Sequence, residues 1–106
     1  MSAFGIGINT QGTHAGEVKG NITKIACESW FTSEGDVTPR LVKFIDENGK
    51  VKSVNHENIL VNYKEQKNYS GIPSIEFDCA LIIDETIIKV KLIFNKDTCK
   101  WIMTYL

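Results

Sequence analysis

Helix formers are scarce in this chain. Alanine and leucine together supply 9 residues, against 29 of isoleucine, valine and threonine, an imbalance that disfavours helices and suits pleated strands. An excess of either charge is missing too: 12 Lys and Arg face 13 Asp and Glu. Dividing the chain after Ser53 leaves net 0 on the first part (6 against 6) and −1 on the second (6 against 7). With no basic or acidic tail, nonspecific attraction to nucleic acid or to a membrane surface has no electrostatic basis. No apolar run reaches the length of a membrane span. The first cation is Lys19, and Gly5 and Gly7 interrupt the early apolar positions, so no secretory signal is expected. The sequons at Asn21 and Asn68 then read as chance matches.

Cysteine occurs three times, an odd number that builds no disulfide framework. Cys79 and Cys99 are expected in one core on strands two apart, about 10 Å by strand spacing, too far to bridge. Reduced thiols and a cytoplasmic location follow. The two histidines, His14 and His56, have no His or Cys at ligand spacing, so no metal centre is expected. Cys27 with either histidine would make a thiol and its base, but it lies in an apolar run and reads as a small core residue. Gly5, Gly7 and Gly12 miss the dinucleotide fingerprint. Asp46, Asn48 and Glu57 imitate positions of a calcium loop whose required glycine is here Val51. No cofactor is expected.

What is present is alternation. Ile75, Phe77, Cys79, Leu81 and Ile83 fall on odd positions; Ile88, Val90, Leu92 and Phe94 follow at the same period, and Cys99, Trp101, Met103 and Tyr105 share one face of a third run. Residues 75–106 therefore read as a three-strand antiparallel meander. Ile83 is expected opposite Ile88 across Glu85-Thr86, and Phe94 opposite Cys99. A one-residue slip would turn the apolar set to water. The inward side chains of this meander do not offset the entropy of ordering it, so the earlier part of the chain must cover it.

That earlier part opens with five of the eight glycines, which reads as a flexible lead over 1–16, with Phe4, Ile6 and Ile8 adding an edge strand. Residues 17–106 form a single β domain. Residues 18–31 read as strand in preference to helix, because Gly20-Asn21 suits no helix interior. Residues 32–39 read as a loop. Segments 40–46 and 50–54 make a hairpin whose three-residue loop Glu47-Asn48-Gly49 aligns Ile45 with Val51 and Val42 with Val54. Ile59, Val61 and Tyr63 form a short strand, and 64–73 a polar connection. The fold class is all-β: a small antiparallel barrel or rolled sheet of about five to seven strands, SH3-like in form.

Glu76 and Asp78 share the outer face with Lys91 and read as solvated cross-strand charges rather than a catalytic pair. With no convergent His, Asp, Ser or Cys set, the expected function is a non-enzymatic cytoplasmic binding or protein-interaction module. A nucleic-acid-binding small barrel is the alternative and a small enzyme the third reading. Trp30, Phe31, Arg40 and Tyr69 are the candidate partner-binding residues, by their aromatic and basic character. On the outer face of the meander, Ile82, Ile87, Ile93, Ile102 and Leu106 form a candidate self-association patch, with Ile87 beside Leu106, covered either by a second copy in a homodimer, the preferred reading, or by the N-terminal lead through Phe4, Ile6 and Ile8.

Overall fold

The computed structural model describes residues 13–16 and 22–106. The strands are β1 (Thr13–Gly16), β2 (Ile22–Lys24), β3 (Ala26–Phe31), β4 (Val37–Ile45), β5 (Val51–Asn55), β6 (Ile59–Tyr69), β7 (Ile72–Ile83), β8 (Thr86–Asn95) and β9 (Lys100–Tyr105), with a 3-10 turn at His56–Asn58. They form a six-stranded sheet in the order β1-β6-β7-β8-β9-β2 and a three-stranded sheet in the order β3-β4-β5. All pairings are antiparallel except β1 with β6. The chain is all-β, as its composition implies, and among the described residues neither sheet closes into a barrel. The segment 18–31 is strand where it is described, with Ile25 alone joining β2 in one sheet to β3 in the other. Of the expected lead, 13–16 form the edge strand β1; the edge strand expected from Phe4, Ile6 and Ile8 lies outside the described residues.

The β4–β5 hairpin has the expected register, Ile45 opposite Val51 and Val42 opposite Val54. Gly49 takes a positive φ of 78°, a left-handed backbone that a side chain would strain. The meander keeps the expected faces but not the expected partners. Ile83 pairs with Thr86 and Leu81 with Ile88, because Asp84 and Glu85 both take positive φ and close a two-residue hairpin turn. Trp101 pairs with Phe94, not Leu92. Asn95 Oδ1 accepts the backbone N–H groups of Asp97 and Thr98, and the Cys99 N–H donates to the Asn95 carbonyl. Cys99 therefore sits exposed in the loop rather than in the core. Both shifts are of two residues, the slip that alternation does not forbid.

The polar connection expected over 64–73 is instead the second half of an 11-residue strand, β6, turning into β7 through Ser70 and Gly71 at positive φ. A bulge at Asn62 moves Tyr63 off the face of Ile59. Pro39 lies inside β4, which begins at Val37. Between the sheets the buried core gathers Val37, Val42, Phe44 and Val54 over Ile59, Phe77, Cys79, Leu81, Val90, Leu92, Phe94 and Met103. Trp101 is 8 % exposed and tilts against Phe77 and Phe94 with ring centroids 5.5 and 5.1 Å away. Its Nε1–H donates to Ser29 Oγ of the covering sheet at 3.0 Å. The first half of the chain thus covers the meander, as the entropy argument requires.

Candidate functional site

Glu76 is the largest departure from the sequence reading. It lies on the outer face of β7 yet has no solvent-accessible surface, so it is not the solvated charge expected there. The length of β6 explains the difference. β6 runs beside β7 far enough to bring Tyr69, whose hydroxyl donates to Glu76 Oε1, and Lys67, whose Nζ lies 3.0 Å from Oε2. Lys91 from β8 adds a second ammonium at 3.5 Å, and Lys67 also reaches Glu65 at 3.7 Å. Burial by itself pushes the Glu76 carboxyl up, but the Tyr69 hydroxyl and the Lys67 ammonium prevail and hold it below the usual carboxylate range. The bond from its own ammonium to Glu76 raises Lys67. Burial, then the bond to Glu76, raises Tyr69 well beyond an ordinary phenol. Every member of this cluster is committed to another member. Asp78 beside it accepts a hydrogen bond from the Asn62 amide at 3.3 Å.

The predicted contact residues separate. Trp30 and Phe31 end β3, an edge strand, and are 61 % and 54 % exposed; the Phe31 ring meets Phe94 edge-on at 5.8 Å. Arg40 is on the neighbouring strand β4, at the bulge opposite Glu28 and Ser29. Tyr69 belongs to the other sheet. In the candidate self-association set, Ile82 pairs with Ile87 and Ile93 with Ile102. The Leu106 N–H donates to the Lys89 carbonyl at 3.1 Å, so Leu106 faces Lys89 rather than Ile87. Ile87 and Leu106 are exposed, Ile93 is buried, and Ile82 and Ile102 are half-buried. A groove of about 400 Å³ brings Tyr69, Ile72, Ile93 and Ile102 together.

Sequence reasoning missed the far end of the molecule. There the two sheets part around a cleft of about 700 Å³, walled by Phe44, Ile83, Ile88 and Tyr105 and edged by Asp46, Glu47, Asp84 and Lys52. Lys52 Nζ lies 3.1 Å from Asp84 Oδ2 and 3.9 Å from Asp46 Oδ2. Asp46 Oδ1 accepts the N–H groups of Lys50 and Asn48 at 2.8 and 2.9 Å; the bond from Lys50 is the main cause that keeps this carboxyl low. Burial, then Glu47 and Asp46, push the Tyr105 phenol up. A second groove of about 650 Å³ adjoins the cleft, lined by Ile22, Ile45 and Val51 with Lys24 and Lys43, and the two share Thr23, Phe44 and Ile45. The turn residues and alternation carry no signal for this convergence, since its members come from six strands and two turns.

Burial pushes the Cys27 thiol up to about 11 and the Cys79 thiol up to about 12. Among the described residues no three His, Cys, Asp or Glu side chains are placed to hold a metal ion, and no helix is long and apolar enough to cross a membrane. Comparison with protein-family models, with curated proteins and with solved structures finds no match to this chain.

Proposed function

We propose that this chain is a non-enzymatic cytoplasmic interaction module that takes an extended segment of a protein partner along the free edge of β3. The observation that carries the reading is the exposure of Trp30 and Phe31, consecutive residues on a strand that among the described residues has a neighbour on one side only. An edge strand offers unpaired backbone donors and acceptors to an added strand. A large aromatic anchor next to that edge supplies the buried contact that dominates such interfaces, and Arg40 lies further along the neighbouring strand, at the bulge opposite Glu28 and Ser29. We read the scaffold as a rolled, SH3-like pair of sheets, supported by the single residue, Ile25, that carries the chain from one sheet to the other.

The non-enzymatic part of the reading is supported by the state of the reactive groups. The Glu76 oxygens are engaged by Tyr69, Lys67 and Lys91, and thiols at about 11 and about 12 hold almost no thiolate at neutral pH. Selection of displayed random peptides on the immobilised protein tests the proposal. Enriched peptides should bind in extended form and lose at least about tenfold in affinity with Trp30→Ala, an exposed position whose loss leaves the fold intact. Peptides indifferent to Trp30→Ala would overturn it. So would micromolar binding of labelled oligonucleotides that weakens steeply with salt, the mark of the nucleic-acid alternative.

A further inference from the structure

The open end of the sandwich carries two oppositely charged halves flanking one apolar strip. The cleft edge holds three carboxylates, Asp46, Glu47 and Asp84, against one ammonium, Lys52, a balance of −2 from three less one. The adjoining groove holds Lys24 and Lys43 and no carboxylate, a balance of +2. Both halves leave apolar side chains uncovered: in the groove Ile22, Ile45 and Val51 are 54, 63 and 69 % exposed, and in the cleft Tyr105 is 42 % exposed. Ile45 belongs to the lining of both depressions. A surface with an acidic side, a basic side and an apolar middle is complementary to itself under a two-fold rotation, which lays each half on the opposite half of a second copy.

We propose that two copies of this chain pair through the open end about a two-fold axis near Ile45, the acidic cleft of each receiving the Lys24 and Lys43 groove of the other. The surface lies at the opposite end of β4 from the part that pairs with Trp30 and Phe31, so pairing leaves the β3 edge free and presents two of them. It differs from the outer face of the meander, where Ile93 is buried and Lys89 stands between Ile87 and Leu106. A chain with net charge −1 opposes such pairing with little long-range repulsion.

The test is a charge exchange on the full chain, read by light scattering and sedimentation over a wide concentration range. The wild type should dimerise, and more weakly as salt rises. Lys24→Glu with Lys43→Glu makes both halves acidic. Glu47→Lys with Thr86→Lys makes the cleft basic and leaves the groove basic. All four positions are exposed, and thermal unfolding checks that each variant is folded. Each variant alone should dissociate at least about 100-fold more readily, because like charges then face each other; mixing the two should restore a dimer holding one chain of each. A wild type that stays monomeric, charge variants that dimerise as the wild type does, or a mixture that remains monomeric would each overturn the proposal.

Discussion

The two ends of the sandwich share β7, β8 and β9 and are finished in different ways. At one end Phe31, Phe94, Trp101 and Phe77 stack in a chain of ring contacts 5.1 to 5.8 Å apart, and the Trp101 hydrogen bond to Ser29 ties the sheets together. At the other end Phe44 belongs to the core, Ile83 and Ile88 pack against that core half-buried, and the same three residues line a cleft edged by the charged residues of two turns. Large rings cross the space between two packed sheets at the first end; at the second the Tyr105 ring stays 42 % exposed beside the cleft. The aromatic end is therefore expected to carry more of the stability than the cleft end.

The contrast predicts unequal responses. Trp101→Ala should cost about 3–5 kcal/mol and unfold a domain of ordinary stability, whereas Tyr105→Ala should cost less than about 1 kcal/mol because its ring is already 42 % exposed. Urea unfolding of both measures the difference. Equal losses would erase the distinction between the ends.

Smaller, and on the outer face, Glu76→Gln should cost about 2–3 kcal/mol. That is below the range for a fully buried pair because Lys67 and Lys91 keep 18 % and 28 % of their side-chain surface in water. The Glu76 carboxyl is lowered in the folded protein, so its stabilisation is present above the unfolded carboxylate pKa and is lost as pH falls through the folded value. Lys67 is raised, so its share is complete below the unfolded lysine pKa and disappears as pH rises through the folded one. Urea midpoints across pH should fall on both the acid and the alkaline side in the wild type, and both slopes should flatten in Glu76→Gln. A wild-type midpoint insensitive to acid would show that the cluster does not couple to folding.

The thiols sharpen the picture without changing stability. In the native protein Cys99 should react at once with an aromatic disulfide reagent, half-buried Cys27 slowly, and buried Cys79 only on unfolding; the denatured protein should show three thiols. Smallest of all, Trp30→Ala should shift the unfolding free energy by less than about 0.5 kcal/mol while removing peptide binding. A large loss of stability would make Trp30 a packing residue and move the binding edge elsewhere.

Much of this architecture was legible before the structure. The class, the β4–β5 register, the covered meander and the burial of Trp101 follow from alternation and turn chemistry, which act between residues close in sequence. Two-residue slips in both meander hairpins were not legible, since a slip of two preserves every face and only the left-handed turn at Asp84-Glu85 and the Asn95 loop select the partner. The polar run through Lys67 looked like a connection because its side chains have no apolar period, yet backbone pairing on both sides of β6 makes it a strand.

The sequence by itself determined the facing of Phe77, Cys79, Leu81, Val90, Leu92, Phe94, Trp101 and Met103, because the pleat assigns faces two residues at a time. Only the tertiary structure decided what the remaining side chains meet. A carboxylate on an outward position became the buried Glu76 once β6 and β8 brought Tyr69, Lys67 and Lys91 to it, and separate turns became an acidic cleft beside a basic groove once the sheets parted at one end. Charge and cavity are properties of residues distant in the chain and adjacent in space, and no local period encodes them.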